Sequence, residues 1–503
     1  MIAPELGRWK MPDMEINPPA RRWPVALGIV LAVVLISAAI IYAFQNIPQP
    51  AMGVNAVTDG AGGVIVVWHD DDGVYAQHVD SSGQFRWPEN RIIIGTQPDL
   101  AVVGLQPDGL GGAIITLSEK DDNTDPVSFD PNRLYARRLS AQGELLWQDT
   151  PIFSGWRLEV VPDGTGGAFF ACDAFKPYLK ALRDSFLRVQ RVAPDGRRLW
   201  GEEGLLVVAS SPYRPITPEE VAAGEKGTIS LSYPTYSGEQ KIVSDGDGGI
   251  IVLWEVHAKF GEGDNQVFAQ RLDGDGNYIW PAAVATGATH LKSAASDDAG
   301  GVIIFSHLAD ETPLKSGSLQ SGMVFAHMTG AGDALPLSTS PPNISLVIGD
   351  GLGGTFHIRQ EVIVNRPPDS KVKYYIQRFD ALEKPVWPER LLISDDLHFI
   401  KSEYIADATG GLIIVLASQL PGDILVFRVD DGGLTSWGGE GMPILNLDST
   451  KYRYLVNAFG DGSGGIIITG TLGKGALSSV MIYVQRLDIA GKPLWGDGVR
   501  IND

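Results

Sequence analysis

The sequence is short of cysteine, and its basic residues are outnumbered by acidic ones. Its single cysteine, Cys172, excludes an internal disulfide, and the apolar run 168–172 around it predicts a buried, inert thiol. Forty Lys and Arg against sixty Asp and Glu give a net charge of −20, which repels phosphate backbones, so we expect no nucleic-acid partner. The eight histidines show neither an HExxH pattern nor a zinc-ligand spacing. With 44% hydrophobic residues, the chain is nevertheless expected to fold.

Long hydrophobic runs are also scarce, and the main one covers Pro24–Phe44 with Ser37 as its only clearly polar side chain. As a helix it would span roughly 31 Å, about the thickness of a bilayer core. It is longer than the apolar region of a signal peptide, and no small-residue cleavage site follows it. The sequence therefore predicts an uncleaved transmembrane anchor helix over 23–44.

The basic residues around this run predict its orientation. Four precede it, and the next basic residue other than histidine is Arg86; the four are Arg8, Lys10, Arg21 and Arg22. By the positive-inside rule, residues 1–22 form a cytoplasmic tail, and the body after a linker over 45–52 lies outside the cytoplasm. The prediction is a single-pass protein of a bacterial-type cell membrane.

A glycine pair, usually with aspartate three residues before it, recurs eight times. The turns cover 59–63, 108–112, 163–167, 245–249, 298–301 (one residue shorter), 350–354, 407–411 and 461–465. Successive pairs are 49, 55, 82, 52, 53, 57 and 54 residues apart, so one unit holds about 50 residues. The long interval places an insertion, 205–240, between the third and fourth units.

Short β-branched runs bounded by these glycines predict buried strands, such as 64–68 and 250–254. A third strand of alternating polarity follows in each unit, and a fourth ends in tryptophan. Four strands in each of eight units predict an all-β fold, an eight-bladed β-propeller over 53–503.

A second turn has the pattern Asp-x-x-Gly-x-x-x-Trp. Its tryptophans are Trp87, Trp147, Trp200, Trp280, Trp387, Trp437 and Trp495, whereas Pro336 stands in the fifth unit and Glu383 replaces the glycine of the sixth. The pattern resembles the tryptophan-docking repeat of eight-bladed quinoprotein-type propellers, a family that includes quinoprotein alcohol dehydrogenases and a propeller lipoprotein of outer-membrane barrel assembly. It is also similar to Gly- and Asp-rich repeats of exported bacterial proteins.

That resemblance implies tryptophans that pack between neighbouring blades. It covers about residues 53–503, but it does not extend to the enzymes' chemistry, because quinoprotein dehydrogenases typically carry adjacent cysteines that this chain cannot supply. We therefore expect a non-catalytic member with no catalytic residue.

Two sets of charged residues have a structural interpretation. A basic residue recurs on the third strand: His78, Arg138, Arg191, Arg271, Arg378, Arg428 and Arg486, with His327 nearby in the fifth unit. We interpret these as ion-pair partners of the repeat aspartates. Acidic clusters at 70–72, 121–125, 245–247 and 273–277 lack the EF-hand pattern and are interpreted as solvated turns. We therefore predict no metal and no cofactor, with Ca²⁺ binding at one of these clusters as the alternative.

The two kinds of short turn fall on one face of the predicted propeller, and nearly all length variation falls on the other. The insertion 205–240 belongs to that variable face, and a capping box at Thr217–Glu220 predicts a short helix over 218–223. Tyr213, Tyr233 and Tyr236 flank this helix and suit a partner interface, with a lid packed on the propeller as the equal alternative.

The sequence thus favours a non-enzymatic scaffold that binds a protein or glycan through its loop-rich face. Two alternatives remain open. One is an exported hydrolase or quinoprotein-like oxidoreductase with a site at the ring centre, and the other is a structural component of the cell envelope.

Overall fold

A computed structural model describes residues 53–502 of the chain, apart from a set of internal segments. These segments are 71, 88–90, 98–99, 120–131, 148–149, 176–184, 208–234, 258–264, 298, 308–322, 336–337, 340–343, 351, 353, 365–370, 381–383, 395–398, 408, 419–423, 438–441, 445–452 and 473–480. The predicted anchor helix over 23–44, the tail and the linker lie outside the described residues. In the part of the chain that is described, no helix is long and apolar enough to cross a membrane.

The described chain forms thirty-one strands, grouped here by blade. Blade one holds β1 Val54–Thr58, β2 Val64–Asp70, β3 Gly73–Val79 and β4 Ile92–Gly95. Blades two and three hold β5 Leu100–Pro107, β6 Ala113–Glu119, β7 Asn132–Leu139, β8 Thr150–Pro162, β9 Ala168–Phe175, β10 Ser185–Val192 and β11 Leu205–Leu206. Blade four holds β12 Thr235–Ser244, β13 Ile250–His257, β14 Gln266–Leu272 and β15 Val284–Ala285.

The second half of the ring repeats the arrangement. Blade five holds β16 Ser293–Ser296, β17 Val302–His307, β18 Met323–Met328 and β19 Ser338–Thr339. Blade six holds β20 Ile344–Gly349, β21 Thr355–Val364, β22 Lys371–Phe379 and β23 Leu391–Ser394. Blade seven holds β24 Phe399–Ala406, β25 Leu412–Ser418, β26 Ile424–Val429 and β27 Met442–Ile444, and blade eight holds β28 Arg453–Gly460, β29 Ile466–Leu472, β30 Met481–Leu487 and β31 Val499–Arg500.

Within each blade the four strands pair antiparallel in chain order. The first strand of every blade contacts the first strands of both neighbours, and β28 of blade eight contacts β1 of blade one. The eight blades therefore close into a ring, which confirms the all-β, eight-bladed propeller expected from the repeats.

Blades two and three share one strand. The first half of β8 pairs with β7 of blade two, and the second half pairs with β9 of blade three, which joins both blades in one seven-stranded sheet. The strand bends at Arg157, the one non-glycine residue of the described chain with positive φ (55°). The bend turns the outer strand of one blade into the innermost strand of the next.

The hydrophobic core lies in the seams between blades, because alternate residues of a strand face opposite neighbours. Val64 and Val66 pack with blade eight, whereas Ile65 and Val67 pack with blade two. Among the described residues, clusters of this kind span the seams eight–one, one–two, two–three, three–four, four–five, six–seven and seven–eight. Cys172 is fully buried in β9, as its apolar surroundings predicted, and burial raises the pKa of its thiol.

One detail of the repeat differs from the sequence-based prediction. The fifth glycine turn was assigned to Asp298, which made it one residue short, but Asp297 accepts the Gly301 amide at 2.7 Å, as Asp59 accepts that of Gly63. The fifth turn therefore has the same length as the others. Two consecutive aspartates made the register ambiguous in sequence.

Candidate functional site

The propeller has two unlike faces, named here by their connections. The turn face carries the turns between first and second strands and between third and outer strands. The loop face carries the second-to-third-strand loops and the blade-to-blade connections, and it receives the segment 207–234 between β11 and β12. The strands thus occupy both ends of the insertion assigned from sequence to 205–240.

On the turn face, the glycine-turn aspartate of every blade is fixed by its own turn. In blade one, Asp59 Oδ1 accepts the amides of Ala61 and Gly63, both at 2.7 Å. Its other oxygen accepts His78 Nε2 of the third strand at 2.9 Å. Burial alone would raise the pKa of Asp59, but the hydrogen bonds from His78 and the two amides outweigh it, so the pKa is lowered.

The same acid–base pair recurs in all eight blades. The pairs are Asp59–His78, Asp108–Arg138, Asp163–Arg191, Asp245–Arg271, Asp297–His327, Asp350–Arg378, Asp407–Arg428 and Asp461–Arg486. This confirms that the recurring basic residues pair with the repeat aspartates, and it places His327 at the equivalent position rather than merely near it. These carboxylates are therefore committed to the framework of the turn face.

Several of the arginines also reach the following blade. Arg138 Nη1 donates to the carbonyl of Pro194 at 3.0 Å, and Trp147 Nε1 donates to the same oxygen at 3.0 Å. Gly330 O likewise accepts both Arg271 and Trp280. One carbonyl thus receives two donors from the preceding blade.

The repeat tryptophans lie in the seams, with their indoles 1% to 7% exposed. Six donate to the second residue of the next blade's Asp-x-x-Gly turn: Trp87, Trp147, Trp280, Trp387, Trp437 and Trp495. The glycine of that turn has φ near +85° and lies against the ring; a Cβ on Gly143, for example, would be 3.0 Å from Trp87 Cδ1. Only glycine combines that φ with so close an approach.

A different cluster lies at the loop-face end of blades four and five. Glu255, in β13, is 3% exposed, and its two oxygens accept His290 Nδ1 at 3.0 Å and the Leu291 amide at 3.0 Å. Asn265 Nδ2 donates to the same carboxylate at 3.2 Å. The imidazole of His290 is 41% exposed, so a buried acid orients a histidine that solvent can reach. Since the carboxylate binds Nδ1, the neutral ring carries its proton there and its basic nitrogen is Nε2.

Charged side chains also line the innermost strands of blades three and four. Arg157 Nη1 lies 2.8 Å from Glu239 Oε1, and Lys241 Nζ lies 2.7 Å from Glu159 Oε1. These pairs join β8 to β12, the innermost strands of neighbouring blades. Together with the Glu255–His290 cluster, they place charged and polar side chains close to β12, the strand that follows the insertion.

Of the three predicted partner-binding tyrosines, one lies in the part of the chain that the structure describes. Tyr213 and Tyr233 lie outside the described residues, as does the helix predicted over 218–223. The backbone of Tyr236 is the second residue of β12 and pairs with Val256, the neighbour of Glu255. The insertion therefore re-enters the propeller beside the Glu255–His290 cluster.

The acidic clusters considered as calcium ligands are held by local hydrogen bonds where they are described. Asp273 Oδ1 accepts the amides of Asp275 and Asn277, and Asp245 pairs with Arg271. Within the described part of the chain, no three His, Cys, Asp or Glu side chains converge as metal ligands would.

Sequence reasoning missed two polar features. A glutamine precedes the basic residue on five third strands (Gln77, Gln190, Gln270, Gln377 and Gln485), and Gln377 Nε2 donates to the carbonyl of Trp387 at 2.7 Å. That recurrence was visible in sequence. The Glu255–His290 pair gave no such signal, since 35 residues separate its members.

Comparisons with known proteins do not assign the chain to a family. No protein-family model and no curated protein matches the chain. A polysaccharide lyase of family PL25, an ulvan lyase, overlaps with a TM-score of 0.43 at 12% identity, covering 77% of this chain and 94% of its own. Prolyl oligopeptidase B from Galerina marginata overlaps with a TM-score of 0.44 at 10% identity, covering 88% of this chain, which spans 56% of that protein's length. The fold assignment therefore rests on the strand pairing itself.

Proposed function

We propose that the protein is a membrane-anchored scaffold that binds a protein or glycan partner outside the cytoplasm through the loop face of its propeller. The observation that carries this proposal is the contrast between the two faces. On the turn face, all eight repeat aspartates are paired with basic residues of their own blades, so these carboxylates are already used to hold the turns in place.

The loop face supports the opposite role. Loops of varied length on a rigid scaffold are where binding residues collect. The insertion joins this face beside His290 and the Arg157–Glu239 pair, where exposed polar groups can contact a ligand. Membrane anchoring through 23–44 and the exported orientation of the propeller remain part of the proposal, supported by the hydrophobic run and the basic residues before it.

The test is partner capture by the full chain in detergent. A triple variant, Tyr213→Ala/Tyr233→Ala/Tyr236→Ala, should lose the partner that the unmodified chain retains from native envelope extract or a glycan array. Tyr278→Ala is the matched control, because Tyr278 is 51% exposed but lies on the turn face. Equal retention by the triple variant and the control would eliminate the insertion as the binding element.

Orientation needs a separate experiment. Protease added to intact spheroplasts should degrade the propeller and leave the first 22 residues with the membrane. Protection of the propeller until the cells are lysed would refute the exported location.

An exported hydrolase is the second candidate, and the Glu255–His290 pair is the observation that favours it. A carboxylate that holds Nδ1 of an accessible imidazole is the arrangement by which a histidine acts as a general base. Turnover of chromogenic esters or glycosides that is lost in His290→Gln, but kept in His69→Gln, would support this candidate over the scaffold. Absence of turnover in the unmodified chain would remove it.

A further inference from the structure

Exposed apolar side chains are concentrated on the turn face. Among the described residues, sixteen large hydrophobic side chains are exposed, and twelve of them lie in the glycine turns or between the aspartate and tryptophan positions of the second turns. The remaining four lie in strands: Ile93, Val103, Leu206 and Leu392. Every blade contributes at least one of the twelve, so these side chains are distributed round the whole face.

Six of the twelve occupy one repeat position, the residue directly before the tryptophan position. They are 42% to 46% exposed: Leu146, Leu199, Ile279, Leu335, Val386 and Leu494. The amide of each donates at 2.8 or 2.9 Å to the carbonyl of the basic residue on the third strand, as Leu146 donates to Arg138. The backbone that carries these side chains is therefore held in place, so a partner that contacts them loses little conformational entropy in ordering it.

Blades one and seven show that the fold does not require an apolar side chain at this position. Arg86 and Ser436 occupy it there, and both residues are exposed. Their amides donate to the carbonyls of His78 and Arg428 at 2.9 and 2.8 Å, as in the other blades. Six blades therefore expose an aliphatic side chain where a polar one fits the same backbone, which is typical of a surface that contacts a partner.

The second turns also carry negative charge that the described chain does not neutralise. Oδ1 of the aspartate that begins the turn accepts the amide four residues later in blades one, four, seven and eight: Asp80, Asp273, Asp430 and Asp488. Within the described part of the chain, none of these four carboxylates forms a salt bridge, whereas all eight glycine-turn aspartates do. Hydrogen bonds from the side chains of Ser82 and Asn277 lower the pKa of Asp80 and Asp273, so both are ionised at neutral pH.

The second turns are acidic as a set. From the aspartate position to the residue before the tryptophan position, their described residues include ten acidic and five basic side chains. A surface that combines exposed aliphatic side chains with an excess of carboxylates is complementary to one that combines apolar side chains with lysine or arginine.

We propose that the turn face binds a basic, apolar segment of another protein, at a surface separate from the loop face. The apolar side chains of such a segment pack against the exposed residues before the tryptophan positions, and its lysines or arginines pair with the second-turn carboxylates. The excess of carboxylates disfavours a second copy of this chain, since the two turn faces would repel each other.

A fluorescent peptide of about fourteen alternating leucine and lysine residues tests this proposal, because when extended it presents leucine on one face and lysine on the other. Binding to the full chain in detergent is measured by anisotropy. The variant is Leu146→Ser/Leu199→Ser/Leu494→Ser, in which serine is the residue that blade seven carries at this position as Ser436. It should bind the peptide about tenfold more weakly than the unmodified chain, since apolar contacts are lost without a change in charge.

The matched control for the serine variant removes exposed apolar side chains that lie outside the turn face. Ile93→Ser/Leu392→Ser fits this role, because Ile93 is 56% exposed and Leu392 is 42% exposed, both in outer strands. It should bind the peptide as the unmodified chain does. Equal affinities of the serine variant and the control would overturn the proposal.

A second pair of variants tests the charge, and it applies even where the serine variant does not fold by circular dichroism. Asp430→Asn/Asp488→Asn keeps an oxygen that accepts the turn amides but removes two carboxylates. It should weaken peptide binding several-fold and reduce the dependence of affinity on salt. Glu202→Gln/Glu203→Gln is the control, because these exposed residues lie between Trp200 and β11, outside the second turns. The same loss in both variants would mean that the peptide reads only net charge, which would overturn the proposed surface.

Light scattering of the unmodified chain and the serine variant decides between a partner and self-association. Both should have the same oligomeric state. A larger assembly of the unmodified chain that the serine substitutions dissociate would assign the turn face to a second copy of this chain and overturn the proposed partner.

Discussion

Trp495 donates from its indole Nε1 to the carbonyl oxygen of Ser81 at 3.1 Å, across 414 residues of sequence. Arg486 donates to the same oxygen at 3.3 Å. Each terminal blade is built from four consecutive strands, so the described ring is closed by side-chain contacts and by the neighbouring strands β1 and β28, not by a strand shared between the ends.

Ring closure should therefore depend more on Trp495 than on an equivalent tryptophan elsewhere. Trp495→Phe removes the hydrogen bond to Ser81 O at the seam between blades eight and one, where the described chain does not run from one blade into the other. Trp280→Phe removes the matching hydrogen bond to Gly330 O at the seam between blades four and five, which the chain crosses. Each loss should cost about 1–2 kcal/mol of unfolding free energy, with Trp495→Phe the larger. Thermal unfolding followed by circular dichroism measures both; identical shifts would argue that the terminal seam has no special role.

The glycine facing each indole should tolerate no side chain. Gly83 has φ +85°, and a Cβ there would lie 2.8 Å from Trp495 Cδ1. Gly60 has φ +75° but open space around it, so Gly60→Ala reports the backbone strain alone. We expect Gly83→Ala to destabilise the fold by about 1–3 kcal/mol more than Gly60→Ala in urea titrations. Similar midpoints for the two variants would show that the indole moves aside.

The buried acid–base pairs should be sensitive to loss of one partner. Asp350→Asn leaves the Arg378 guanidinium, 11% exposed, without its carboxylate, and should cost about 3–5 kcal/mol. The exposed pair Asp195–Arg197 provides the control, since Asp195→Asn should leave the unfolding midpoint unchanged. A mild effect of Asp350→Asn would mean that solvent reaches the arginine.

Acid should weaken the fold through His357. Burial lowers the pKa of His357 to about 3 from an ordinary value of 6.5, so the neutral form is favoured in the folded chain. The contribution of neutral His357 to the free energy of unfolding is therefore fully present above pH 6.5 and decreases as the pH falls. The free energy of unfolding should be about 2 kcal/mol lower at pH 5 than at pH 7. The aspartates with lowered pKa, such as Asp59 and Asp297, act only below about pH 4 and do not contribute in this window.

Urea titrations at pH 7 and pH 5 measure that loss. His357→Ile should remove most of the difference between the two pH values. An unchanged pH dependence in the variant would assign the effect to other groups.

Much of the framework could be predicted from local residues. A glycine turn after a short β-branched run defines a hairpin wherever it occurs, so eight copies gave the blade count and the pairing of Asp108 with Arg138. The fifth turn was misassigned because Asp297 and Asp298 are adjacent, and only the backbone geometry selects between them.

The candidate site was less predictable. The third and outer strands of blade four lie between Glu255 and His290 in sequence. The two residues meet because these strands return the chain to the seam between blades four and five. Nothing in the local pattern around either residue distinguishes it from a solvent-exposed polar residue.

The sequence by itself determined the repeat, the ring of eight and the side chains that fill each seam, because strand and turn propensities act over a few residues. The tertiary structure decided how the blades face one another, and so it brought Glu255 against His290 and Trp495 against the carbonyl of Ser81. Such a grouping depends on contacts between residues far apart in the chain, which only closure of the ring brings together.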